Sequence, residues 1–184
     1  MSRRWKSSML SAAGVFVLLL VPFPKAAAIG ISEACGLPQD LQREIATKFS
    51  QARFLTVTDL NEDDKRFFQK DHGDACPGLV RVDFYGDGKP TLAVLFITRD
   101  RGKDKIELIV AHEIGKRWAT RMLDTVDAVP APVIWSQPSG RYRDFYGKKE
   151  IRAARPVIVL ARYESWAILY SWTGNGVTKI WLRD

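Results

Sequence analysis

The chain has 184 residues, 46% of them hydrophobic and 11% aromatic, with 28 Lys and Arg against 21 Asp and Glu. Its 13 Gly and 9 Pro are too few for a collagen-like or low-complexity chain, and a disordered one would lack the aromatics. That length suits one domain burying roughly 70% of its unfolded surface, and is short for two cores or a multi-blade propeller.

At the N-terminus, Arg3, Arg4 and Lys6 stand without an acid, residues 9–21 form an apolar run broken only by small residues, and Pro22-Phe23-Pro24-Lys25-Ala26-Ala27-Ala28 follows. A positive start, a short apolar stretch and small residues at the cleavage positions are the parts of a secretory signal. Residues 1–28 are therefore expected to be a signal peptide and residues 29–184 a single mature domain. So short a run, followed by Pro22 and Pro24, argues against a membrane span that outlasts cleavage. All four charged residues of the segment (Arg3, Arg4, Lys6, Lys25) are basic, so removing it takes the net charge from +7 to +3. The whole-chain basicity thus gives no support to a nucleic-acid role. What remains is uneven. Residues 33–74 hold nine acids and six bases, whereas residues 141–162 hold seven bases (Arg141, Arg143, Lys148, Lys149, Arg152, Arg155, Arg162) against Asp144 and Glu150.

Cys35 and Cys76 are the only thiols. An exported chain with an even count is expected to pair them, which places the domain in the periplasm or outside the cell. Their wide spacing does not suit a reactive or metal-binding pair.

Residues 38–51 read as a helix, with Leu37, Leu41, Ile45, Ala46 and Phe49 at three- and four-residue spacing. A second helix is expected over 59–69, capped by Asp59. Residues 79–85 and 91–98 read as strands joined by Gly86-Asp87-Gly88-Lys89-Pro90, a hairpin turn, and residues 105–112 as a third strand. Residues 115–127 place Trp118, Ala119, Met122, Leu123 and Val126 at helical spacing, which predicts a helix crossing the sheet before Pro130 and Pro132. A short strand is expected at 133–135 and a loop over 136–155. Three strands close the chain at 156–163, 165–172 and 177–182, the last two joined across Thr173-Gly174-Asn175-Gly176 with a register uncertain by one residue. The expected fold is α+β: an antiparallel sheet with N-terminal helices and one crossing helix.

The stretch Asp83-Phe84-Tyr85-Gly86-Asp87-Gly88-Lys89-Pro90-Thr91 and the apolar strand after it resembles one calcium-loop hairpin of FG-GAP or VCBS repeats. The likeness spans about 12 of the 184 residues, occurs once and so implies no propeller. It departs from the pattern at Tyr85 and at Thr91, where the family places oxygen ligands. Asp83 and Asp87 offer few of the six to eight oxygens that calcium takes, so a plain tight hairpin without a metal is expected. The C-terminal stretch from Arg162 through Trp166, Tyr170, Trp172 and Trp181 looks like the ending of uncharacterised exported bacterial proteins, a resemblance that carries no activity.

Trp166, Ile168, Tyr170 and Trp172 alternate and share one strand face, with Trp181 able to join them from the partner strand. That face reads first as the core side of the sheet and otherwise as an exposed platform for sugar rings or a protein partner. The basic stretch, interleaved with Tyr142, Phe145 and Tyr146, suits an anionic polymer such as an envelope glycan. His72 and His112 fall in no zinc-protease pattern, and the chain contains no nucleophile elbow, phosphate loop or dinucleotide loop. No catalytic residue, metal site or cofactor is assigned. The sequence therefore favours a non-catalytic binding protein for a protein or cell-envelope component, through Trp166, Tyr170, Trp172, Arg141, Arg143, Lys148 and Lys149. The alternative is a small hydrolase of cell-wall or polysaccharide substrate, which requires a cleft in which Glu113, Glu150 or Glu164 converges with another carboxylate, or in which His112 stands beside one.

Overall fold

The computed structural model describes residues 35–49 and 51–182; the expected signal segment lies outside them. Helix α1 (Gln39–Lys48) has Pro38 at its entry, Asp40 in its first turn and Lys48 in its last, and it buries Leu41 and Ile45 one turn apart. After β1 (Arg53–Phe54), Asp59 takes a different role from the one expected of it. Its carboxylate accepts from the Thr56 amide at 2.8 Å and closes a tight 3-10 turn, Val57–Asp59. The cap of α2 (Glu62–His72) is Asn61, whose Oδ1 accepts from the Asp64 amide at 2.8 Å, so the helix starts three residues later than predicted.

Sheet A consists of β1, β2 (Leu79–Val82), β3 (Thr91–Asp100), β4 (Lys103–Ile114) and β5 (Arg117–Asp127), all antiparallel. β1 and β2 share one edge of β3. The continuous apolar run of β3 is buried from Thr91 to Ile97 because both its faces are covered. Leu92, Val94 and Phe96 meet Leu41 and Ile45 of α1, while Ala93, Leu95 and Ile97 face the second sheet.

β5 replaces the helix predicted over 115–127, and the reason is a β-bulge. β4 pairs Leu108 with Asp124 but Ile109 with Met122, so Leu123 is the extra residue and the two-residue alternation resets there. Apolar residues on either side of the reset fall three and four apart, which imitates a helix. The turn into β5 is the two-residue Gly115-Lys116 link between the Ile114–Arg117 pair, with Gly115 at φ 65°.

Sheet B runs β11-β10-β9-β6, from β6 (Val133–Gln137), β9 (Val157–Arg162), β10 (Trp166–Trp172) and β11 (Val177–Leu182). Its inner face (Ile134, Ile158, Leu160, Ile168, Tyr170) packs on sheet A. The backbone amide of Ile134 donates to Pro77 O at 2.9 Å, joining the two sheets along one edge. The segment 136–155, expected as loop, contains a hairpin, β7 (Gly140–Arg143) and β8 (Glu150–Ala153). This hairpin lays Tyr142, Ile151 and Ala153 on the outer face of sheet B, against Val157, Val159 and Leu169. The order of layers is thus α1, sheet A, sheet B, hairpin, and the domain is mostly β, with two α-helices among the described residues. Cys35 and Cys76 form a disulfide, which ties the entry of α1 to the entry of β2 and fits an oxidising compartment. No helix among the described residues is long and apolar enough to cross a membrane.

Candidate anion-binding site

Because β7 and β8 alternate, the hairpin that turns Tyr142, Ile151 and Ala153 inward turns Arg141, Arg143, Glu150 and Arg152 outward. Two of these form a neutral rung: Arg143 and Glu150 are paired across the strands, with Nη2 3.0 Å from the carboxylate. The next rung sets Arg141 directly opposite Arg152. Neither has an acidic partner among the described residues, and like charges across a rung repel. At the hairpin tip the Phe145 amide donates to Trp181 O at 2.7 Å, and Lys149 Nζ donates to Lys179 O at 3.2 Å, so the tip is fastened to β11. Lys148 Nζ lies 5.9 Å from the centre of the exposed Tyr146 ring.

Beside the Arg141–Arg152 rung, a pocket of about 420 Å³ opens between the β8–β9 connection and the β10–β11 turn. Arg152, Arg155, Trp172, Thr173 and Thr178 line it. Arg155 lies against Gly86 so closely that a Cβ at that glycine would sit 2.0 Å from its Nε. The turn carrying Gly86 is held by its own aspartates. Asp83 accepts from the Gly86 amide at 2.8 Å and the Gly88 amide at 3.2 Å, and Asp87 meets His112 Nε2 at 3.1 Å. The Asp87 carboxyl is below its ordinary value: partial burial pushes it up, but the Lys89 amide and His112 outweigh that.

The wall of the pocket is equally supported. Tyr85 meets Trp172 edge-on at 5.0 Å and His112 at 4.9 Å, and the Arg121 guanidinium lies over the Trp172 ring at 5.8 Å. Burial pushes the Tyr85 hydroxyl up, against the lowering pull of Arg121. Arg121 thus lies over Trp172 while Arg152 and Arg155 line the pocket, and none of the three has a carboxylate partner among the described residues.

The same packing bears out the first reading of the aromatic strand, as the core side of the sheet, and overturns the platform through Trp166, Tyr170 and Trp172. The Trp166, Tyr170, Trp172 face is the inner face of sheet B; Tyr170 is 1% exposed, so its ring has no surface to present. Trp166 and Trp172 are half-buried at opposite ends of β10, roughly 20 Å apart along the strand. Trp166 packs edge-on to Trp181 at 6.0 Å and under Arg162. Trp172 alone of the three joins the basic residues. Arg152 and Arg155 belong to the basic stretch read from the sequence but not to its named binding residues, and Gly86 reads there only as a turn glycine. The alternation of Arg141, Arg143 and Arg152 in the hairpin was readable in principle, but the contact of Arg155 with Gly86 spans 69 positions and was not.

The carboxylates needed for hydrolysis lie apart. Glu113 ends β4 beside the Gly115 turn, Glu150 is engaged by Arg143, and Glu164 occupies the β9–β10 turn, where Arg162 reaches Asp127 O at the far end of β5. Glu113 and Glu164 are thus roughly 30 Å apart along β5. Asp87, His112 and Thr91 do form a chain of acid, imidazole and hydroxyl, with Thr91 Oγ1 3.4 Å from His112 Nδ1. A nucleophilic relay needs its hydroxyl open to substrate, whereas Thr91 is fully buried; the chain instead fastens the 83–90 turn to β3 and β4. His72 is stacked between Phe68 and Trp135 at 4.9 and 5.1 Å, and burial pushes its pKa down. Among the described residues, no three or more His, Cys, Asp or Glu side chains are grouped to hold a metal. No known protein family, curated protein or solved structure matches the chain.

Proposed function

We propose that the protein is a non-catalytic binding protein, periplasmic or secreted, that holds an anionic component of the cell envelope on the outer face of the β7–β8 hairpin. The observation that carries this reading is the Arg141–Arg152 rung, where two like charges face each other without an acid to neutralise them. A bound polyanion relieves that repulsion, and planar guanidiniums pair with carboxylate or phosphate through two hydrogen bonds at once. Export rests on the N-terminal segment, and the disulfide supports it.

The test is retention of the chain, exported by its producing cells, on immobilised polygalacturonate, with dextran as the neutral control. The expected result is retention on the acidic polymer alone, lost as salt is raised because the charges are exposed. The double variant Arg141→Ala/Arg152→Ala should bind about tenfold more weakly or worse. Equal retention of wild type and variant would sink the reading, and shortening of the polymer during the assay would mark the chain as a hydrolase instead.

A further inference from the structure

The outer face of the hairpin is open and flat, which suits charge attraction, but the pocket next to it is concave and has different walls. We infer that this pocket is a selective subsite for one sugar unit bearing a single anionic group, carboxylate or phosphate. The inference rests on the binding reading above and adds the chemical class of the unit recognised.

Three features of the pocket lead to that class. Its volume of about 420 Å³ lies within the usual range for small-molecule sites and admits a monosaccharide. Arg152 and Arg155 both line it, and neither has an acidic partner among the described residues. The remaining lining includes the hydroxyl-bearing Ser171, Thr173 and Thr178, which suit the hydroxyls of a sugar.

The two arginines differ in how they are held. Arg152 projects from the exposed face of β8. Arg155 is seated on Gly86, and the Asp83 and Asp87 hydrogen bonds stiffen that turn. A guanidinium held in place loses less freedom on binding, so Arg155 is the residue that gives the pocket its selectivity. Gly86 is then a positioning residue: its missing side chain is the space that Arg155 occupies.

Calorimetric titration of the exported chain with galacturonate, glucose 6-phosphate and glucose tests this. Saturable binding of one or both anionic sugars, with none of glucose, is the expected result, and the two arms show whether the group is carboxylate or phosphate. Arg155→Gln should lose about tenfold or more in affinity for the anionic sugar while its retention on the polymer falls only severalfold; Arg141→Ala should do the reverse. Arg155 is only partly buried, so its variant is expected to fold, and Arg152→Gln provides a second reading of the same pocket. Gly86→Ala should match the loss in Arg155→Gln although the arginine is still present. Polymer retention without any monosaccharide binding would overturn the subsite and leave the proposed function standing, whereas loss of both would overturn the two together. Glucose binding as tight as galacturonate would show a sugar pocket in which the arginines play no part, and would also overturn the inference.

Discussion

Tyr170 lies in a run of aromatics that reads first as core and otherwise as platform, and its hydroxyl settles its place. Its OH donates to Asp124 Oδ2 at 2.5 Å, and Lys179 Nζ reaches the same oxygen at 3.0 Å, so one carboxylate links β5 of sheet A to β10 and β11 of sheet B. Burial, then Asp124, pushes the Tyr170 hydroxyl far above its ordinary value of 10. Asp124 is held below the usual carboxylate range: burial raises it, but the hydrogen bonds from Tyr170 and Lys179 outweigh that. The signs follow by linkage. Asp124 stabilises the fold above the ordinary carboxylate value, and that stability is lost as the pH falls through its lowered value. Tyr170 stabilises the fold below pH 10, and that stability is lost as the pH rises beyond it, because the unfolded chain ionises first. Tyr170→Phe should therefore cost about 1–3 kcal/mol at neutral pH by urea denaturation. The gap from wild type should narrow between pH 9 and 11; a gap that stays constant would contradict the link.

Among the elements, β5 separates what periodicity can and cannot tell. β2, β3, β4, β9, β10 and β11 were visible as apolar runs or alternation between turn residues, and α1 as a three-and-four spacing, because each is a local pattern. β5 shows a helical pattern only because Leu123 bulges, and the bulge exists only in its pairing with β4. The hairpin β7–β8 was hidden for a related reason: it alternates Arg with Tyr, Ile and Ala, and its inner face has no partner until sheet B is present. The sequence feature that agrees with a strand is Gly115-Lys116, a two-residue link with glycine first, which the helical spacing overrides. Gly115→Val is accordingly expected to destabilise the domain by about 1–3 kcal/mol, since a β-branched residue is strained at φ 65°. A helical β5 would tolerate that change, so an unchanged urea midpoint would speak against the strand.

In the whole molecule, two sheets share a core that neither closes alone, and the disulfide spans 41 positions to hold α1 and β2 at one edge of it. In the chain-entropy picture a loop of that length stabilises the fold by about 4 kcal/mol. Cys35→Ser/Cys76→Ser should lower the unfolding free energy by that order while the transition remains single; a midpoint within error of wild type would show that the sheets hold without it. Composition, thiol count, N-terminal patterning and most strands were determined by the sequence itself, because each depends on neighbouring residues or simple counts. Tertiary structure alone decided that β5 is a strand, that the Tyr170 face is interior, that Arg141 opposes Arg152 and that Arg155 rests on Gly86. Each of those depends on register or on contact between distant segments, and a pairing shifted by one residue would turn every side chain concerned to the other face of its sheet.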